Sequence, residues 1–100
     1  MCEFESQGGT RMDFIAEDSY WQATYSSERY YRPTLDYEDY APAYFVGFIG
    51  FMQYGGSFED AQASLWANWQ RIKGDSRLSH EQAQHAIRAA WDRVASRMAG

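Results

Sequence analysis

One hundred residues, 45% of them hydrophobic and 18% aromatic, suffice for one domain with a single modest core and are too apolar for a wholly disordered chain. One cysteine, Cys2, excludes a disulfide framework and points to a reducing compartment. A net charge of −5 argues against non-specific nucleic-acid binding.

The charge is uneven. Residues 1–60 carry 11 acids against Arg11, Arg29 and Arg32, a net of −8. Residues 61–100 carry Asp75, Glu81 and Asp92 against six bases, a net of +3. An acidic front and a basic rear can attract each other, within one chain or head to tail between two. Residues 1–19 hold Glu3, Glu5, Asp13, Glu17 and Asp18 and no apolar run, so no secretory signal is expected, and Cys2 follows no lipoprotein leader. The longest apolar stretch, Ala41–Met52, is shorter than the roughly 20 residues of a membrane span. The expectation is a cytoplasmic protein without a membrane span.

In chain order, residues 1–19 lack sustained periodicity and read as an acidic N-terminal tail. Residues 20–38 read as an aromatic arm, because 13 of the 18 aromatic residues fall between Tyr20 and Phe58. Pro33 biases Arg32 toward extended geometry, so the arm should be mostly irregular, with a helical turn near Tyr20–Tyr25. Residues 39–98 read as an all-α, antiparallel three-helix bundle with helices over 40–54, 58–73 and 80–98.

Each helix has its own punctuation. The first has Asp39 as N-cap, Pro42 in the first turn and Gly55-Gly56 as its stop. The second starts at Ser57, carries Glu59 and Asp60 in its first turn, and stops at Gly74. Its stripe is Phe58, Ala61, Leu65, Trp69 and Ile72, with Trp66 at the margin. The third opens on a capping box, Ser79 with Gln82, and continues with Ala83, Ala86, Ile87, Ala90, Trp91, Val94 and Met98 on one face. Leu65, Trp69, Ile72, Ile87, Trp91 and Val94 are therefore the expected core.

Gly47 and Gly50 lie inside the first helix, where each costs about 1 kcal/mol relative to alanine. A steric need for close approach explains them, with the alanine-rich third helix as partner. The first helix is also apolar nearly all round, through Phe45, Val46, Phe48, Ile49, Phe51 and Met52. One small core cannot take them all, so the arm, a second copy or a partner must cover the rest.

Few motifs carry chemistry. His80 and His85 are five residues apart, about 140° around a helix, whereas a zinc-protease helix needs them four apart on one face. Glu81 and His85 are better read as a surface pair. The carboxylate pairs Glu38-Asp39 and Glu59-Asp60 sit at helix starts, where capping and the dipole explain them. Trp66, Trp69 and Trp91 could stack on a ligand but have core spacing, and Tyr30-Tyr31 between Arg29 and Arg32 suits docking of the arm as well as base stacking. No catalytic, cofactor or metal residues are assigned.

The run Tyr37-Glu38-Asp39-Tyr40-Ala41-Pro42-Ala43-Tyr44, followed by Gly47, resembles a signature of uncharacterised bacterial proteins associated with general stress responses. That family's pattern includes an aromatic arm like Tyr30-Tyr31-Arg32-Pro33 and a segment like Ser57-Phe58-Glu59-Asp60 with a later tryptophan, here Trp69. It closes with an ending like Ala90-Trp91-Asp92-Arg93-Val94, so the resemblance spans Tyr20–Val94. It implies a stress-related setting and no particular activity. The chain departs from it where Phe45, Val46, Phe48 and Ile49 replace Arg and Tyr, and where His80 replaces a tryptophan.

The expected function is a non-enzymatic interaction module that self-associates, with a dimer favoured. The expected interface is Tyr25, Tyr30, Tyr31, Tyr44, Phe45, Phe48, Ile49, Phe51 and Met52. Two alternatives compete: an acidic inhibitor of a basic partner, using Glu17, Asp18, Glu38 and Asp39, and a small-molecule binder using Trp and Tyr between helices.

Overall fold

The computed structural model describes residues 14–99, apart from the side chain of Ala99; the readings for Cys2 and the chain before Phe14 lie outside that range. The described residues form four α-helices and one short 3-10 turn. These are α1 (Phe14–Thr24), the turn Tyr25–Ser27, α2 (Tyr37–Tyr54), α3 (Phe58–Ile72) and α4 (His80–Ala99). The fold is all-α.

Helix α1 corrects the expected tail over residues 14–19 and lengthens the helical turn expected near Tyr20–Tyr25. Eleven residues make a helix only marginally stable alone. What holds it is tertiary: Phe14, Glu17 and Trp21 follow a spacing of three and four and face the rest of the chain. The remainder of the arm, residues 28–36, is irregular as expected.

Helix α2 begins at Tyr37, ahead of the expected start, because Asp36 takes the N-cap position assigned to Asp39. Asp39 sits three residues on and accepts the Asp36 backbone N–H at 3.1 Å. Pro42 consequently lies in the second turn and removes one helical bond to the Glu38 carbonyl. The other signals hold. Ser57 Oγ accepts the Asp60 N–H at 3.2 Å, Ser79 Oγ accepts the Gln82 N–H at 3.1 Å, and Gln82 Oε1 accepts from the Ser79 N–H at 3.3 Å. Between α2 and α3 the chain reverses at Gly55 and Gly56, with φ of 61° and 67°, a region that side-chain-bearing residues rarely adopt.

The centre of the molecule is the α2–α4 seam. A Cβ on Gly47 would overlap the Ile87 carbonyl oxygen and the Ala90 methyl group, so the glycine brings the two backbones together as its spacing implied. Gly50 serves the other flank, where Leu65 of α3 fills the space a Cβ would need. Phe51 meets Trp91 edge-on at 5.2 Å, and Phe58 of α3 meets the same indole at 5.8 Å. α3 and α1 therefore cover different flanks of the central pair: α3 lies on Gly50 and Trp91, and α1 on Tyr44, Phe45 and Phe48.

Leu65, Trp69, Ile87, Trp91 and Val94 are buried as expected. Ile72 is not. It shares the phase of Leu65 and Trp69 but closes α3, beyond the end of that stripe's packing, and 38% of it is exposed. Met98 likewise lies past Val94 and is exposed. Gly47→Ala should destabilise the fold by about 1–3 kcal/mol in urea unfolding, because overpacking against backbone outweighs the gain in helix propensity.

Candidate functional site

The uneven charge is resolved within one chain. Glu17 of α1, only 1% exposed, receives Arg93 Nε at 2.9 Å and Arg97 Nη1 at 2.7 Å from successive turns of α4. Asp39 receives the Arg77 Nη2 at 2.8 Å and the Arg77 backbone N–H at 3.0 Å. Glu59 of α3 meets Arg88 of α4 at 3.0 Å, and Arg88 also reaches Asp92, one turn further along α4, at 3.5 Å. The Glu59 and Arg88 side chains are exposed, so solvent screens that bridge and it adds little to stability. Glu17 differs: stripping a partner from a buried pair typically costs about 3–5 kcal/mol.

Asp39 is both a capping residue and an anchor. The Arg77 guanidinium and backbone N–H bonds hold its carboxyl below the usual carboxylate range, despite burial. Its carbonyl accepts Ser76 Oγ–H at 2.6 Å, tying the α3–α4 loop to the start of α2.

The arm lies on α2 through rings and hydroxyls. Trp21 stacks on Tyr44 at 4.3 Å and 10°, and Phe14 packs on Phe45 at 5.1 Å and on Phe48 at 5.5 Å. Tyr30 and Tyr44 share a hydroxyl hydrogen bond of 2.7 Å, and Tyr37 donates to Asp18 Oδ1 at 2.6 Å. Tyr40 accepts the Arg32 backbone N–H at 2.9 Å, which anchors the irregular stretch. Burial raises the Tyr44, Tyr37 and Tyr30 hydroxyl pKa values, so all three stay protonated across the physiological range. Trp21 Nε1 is the buried side-chain polar atom without a hydrogen-bond partner among the described residues.

Tyr44 and Phe48 therefore leave the expected interface, since the chain's own arm buries them. An aspartate at Phe48 would disturb the fold and report nothing about association. Tyr25, Tyr30, Tyr31 and Phe51 are half-buried against the same core, and Phe45 and Ile49 are half-buried; Met52 alone of the expected set is exposed. Glu17 and Trp21, which matter most to the arm, were hidden from periodicity by the charge in the middle of their stripe. Arg93 and Arg97, four apart on α4, were the complementary signal.

Two clefts flank α4. The larger, about 900 Å³, lies between the 28–32 stretch and α4, with Arg29, Arg32, His85 and Asp92 in its walls. There His85 lies parallel to Tyr30 at 6.1 Å; this ring pairing replaces the expected Glu81 contact. The smaller, about 430 Å³, lies between α3 and α4 over Leu65 and Ile87. Its wall is Trp66, with His80 against the indole at 3.9 Å. Among the described residues no group of three His, Cys, Asp or Glu side chains could hold a metal, and no helix is long and apolar enough to cross a membrane.

A third feature is a set of exposed apolar side chains among the described residues at one end. Gly47 against Ile87 and Phe51 against Trp91 show that α2 and α4 advance in step, so both finish at the same end. Met52, Tyr54 and Met98 are exposed there, and Ile15 next to Phe14 is 80% exposed on the neighbouring turn of α1. Compared with protein-family models, with curated proteins and with solved structures, the chain matches none.

Acidification tests the Asp39 anchor. A carboxyl held below its usual range stabilises the fold above about pH 4, and that contribution disappears as pH falls through the lowered value. Asp39→Asn should be less stable than the parent at pH 7 and lose less stability between pH 5 and pH 2, read by thermal melts across that range.

Proposed function

We propose that this chain is a non-enzymatic helical interaction module that self-associates as a dimer, with α2, α3 and α4 forming an antiparallel bundle as its platform. The observation that carries the reading is that, among the described residues, Ile15, Met52, Tyr54 and Met98 are exposed where α2 and α4 finish and α1 begins. Exposed apolar side chains gathered in one place mark interaction surfaces more often than single ones do. Closing that end about a two-fold axis would cover the same patch on both copies. The resemblance of the Tyr37–Tyr44 run supports a bacterial stress response as the setting, and the single cysteine supports the cytoplasm.

The rival readings draw less from the geometry. An acidic inhibitor would need Glu17, Asp18, Glu38 and Asp39 free, yet Glu17 and Asp39 are buried in ion pairs and Asp18 accepts from Tyr37, which leaves Glu38 alone of the four exposed. Catalysis would need an oriented base, yet His85 lies parallel to Tyr30, His80 packs at a tilt on Trp66, and neither has a side-chain hydrogen bond among the described residues. The small-molecule reading keeps one specific support, the cleft beside Trp66, whose volume falls within the usual range for ligand pockets.

Light scattering tests the first reading. The parent should have the mass of a dimer, and Met52→Asp with Tyr54→Asp should have that of a monomer at unchanged helicity. A monomeric parent would defeat it, and a parent that dimerises only after loss of residues 1–13 would show that those residues cover the end. The cleft is tested separately by adding small aromatic acids and following nuclear resonance shifts. Shifts confined to Trp66, His80 and Gln84 would support a ligand site, and their absence would remove it.

A further inference from the structure

We propose that the cleft between the 28–32 stretch and α4 binds a small zwitterion of the amino-acid type. Arg29 and Arg32 receive its carboxylate and Glu28 its ammonium. The cleft contains none of the exposed apolar side chains on which the self-association reading rests, so the two stand or fall separately.

Most charges of the chain are matched internally. Arg77, Arg88, Arg93 and Arg97 each meet a carboxylate, and Arg71 meets the Asn68 side chain. Arg29 and Arg32 take no part in this. Among the described residues the Arg29 side chain has no hydrogen-bond or ion-pair partner, and Arg32 Nη1 donates only to the neighbouring Tyr31 carbonyl at 3.3 Å. Both are exposed, and both stand in the wall of the cleft. Glu28, in the same wall, is the acid left over. It is half-buried and has no ion pair or side-chain hydrogen bond among the described residues, and burial pushes its carboxyl above the usual carboxylate range.

One kind of ligand matches both signs. A simple anion suits the guanidiniums and is repelled by Glu28, and a simple cation meets the reverse conflict. A ligand with both charges on neighbouring atoms pairs with all three groups through charge-assisted hydrogen bonds. The rest of the cleft agrees. Its walls set Arg29, Arg32 and Arg88 against Glu28, Glu81 and Asp92, so with histidine neutral they carry no net charge in a chain of −5. Such walls select a molecule without net charge over an ion of either sign.

The arm's wall is also held in place. The Tyr30 hydroxyl is bonded to that of Tyr44 at 2.7 Å, and the Arg32 backbone N–H donates to the Tyr40 hydroxyl at 2.9 Å. The charged side chains therefore project from a fixed backbone, which reduces the ordering cost of binding. Opposite, His85 and Ala89 lie one turn apart on α4, with the imidazole parallel to the Tyr30 ring at 6.1 Å. These groups give the ligand's own side chain a surface to pack on, and about 900 Å³ lies within the usual range for small-molecule sites.

The test titrates the full-length chain with L-phenylalanine, L-leucine, L-arginine and L-glutamate in turn, read by backbone amide resonance shifts. At least one should move Glu28, Arg29, Arg32 and His85 saturably. The best of them should bind about tenfold or more tighter than its N-acetyl form, which lacks the ammonium, and than its amide, which lacks the carboxylate. It should also bind tighter than inorganic phosphate. Arg29→Gln with Arg32→Gln should abolish the shifts at unchanged melting temperature, since both side chains are exposed. Glu28→Gln should remove the preference over the acetylated form. Absence of a saturable shift with all of these amino acids overturns the proposal. Equal binding of the blocked forms overturns it too, as does phosphate binding as tightly, which would mark a plain anion site. The ligand comparisons use the parent chain, so they decide the matter even where a variant fails to fold.

Discussion

Helix α2 is too apolar for any single neighbour, and the rest of the chain is arranged around that constraint. Its glycine side admits α4, and Gly50 admits Leu65 of α3. Its aromatic side, Tyr44, Phe45 and Phe48, takes the arm. A helix that a two-sided bundle would leave half bare thus becomes the buried axis of a four-helix arrangement. The cover is not apolar alone: Tyr44 shares its hydroxyl with Tyr30, and Tyr37 and Tyr40 use theirs to tether the arm. Those tyrosines give a short, weakly helical segment one defined place to lie.

Electrostatics fix which pieces meet. The arm is joined to the last helix by Glu17, the α3–α4 loop to the start of α2 by Asp39, and α3 to α4 by Glu59. All three join an acid of the front to a base of the rear. The buried pair at Glu17 matters most, because a carboxylate taken out of water must be matched and two guanidiniums on one helix face match it in one geometry. Register of the arm is the consequence.

Much was legible in advance because it depends on local chemistry. The Ser57 and Ser79 starts, the Gly55-Gly56 reversal, the α3 and α4 stripes and the steric need at Gly47 and Gly50 all come from residues within a turn or two of one another. The errors have a common source as well. Asp36 and Asp39 both suit a cap locally, and the contact of Asp39 with Arg77, 38 residues on, is invisible at short range. Helix α1 was missed because Phe14, Trp21 and Tyr25 are interrupted by Glu17, a charge that becomes a buried residue only when α4 supplies its partners. Ile72 has the right phase at a place where the neighbours have run out.

By itself the amino-acid sequence determined that the chain is helical, where three of its helices lie, and that α2 carries more apolar surface than a small core can absorb. Periodicity, capping and glycine sterics act over one or two turns, so they can be read directly. Only the tertiary structure decided what covers α2, which carboxylates are buried, and which apolar side chains remain at the surface. Those outcomes depend on pairs such as Glu17 with Arg97, 80 residues apart, whose meeting is set by the packing of every element between them.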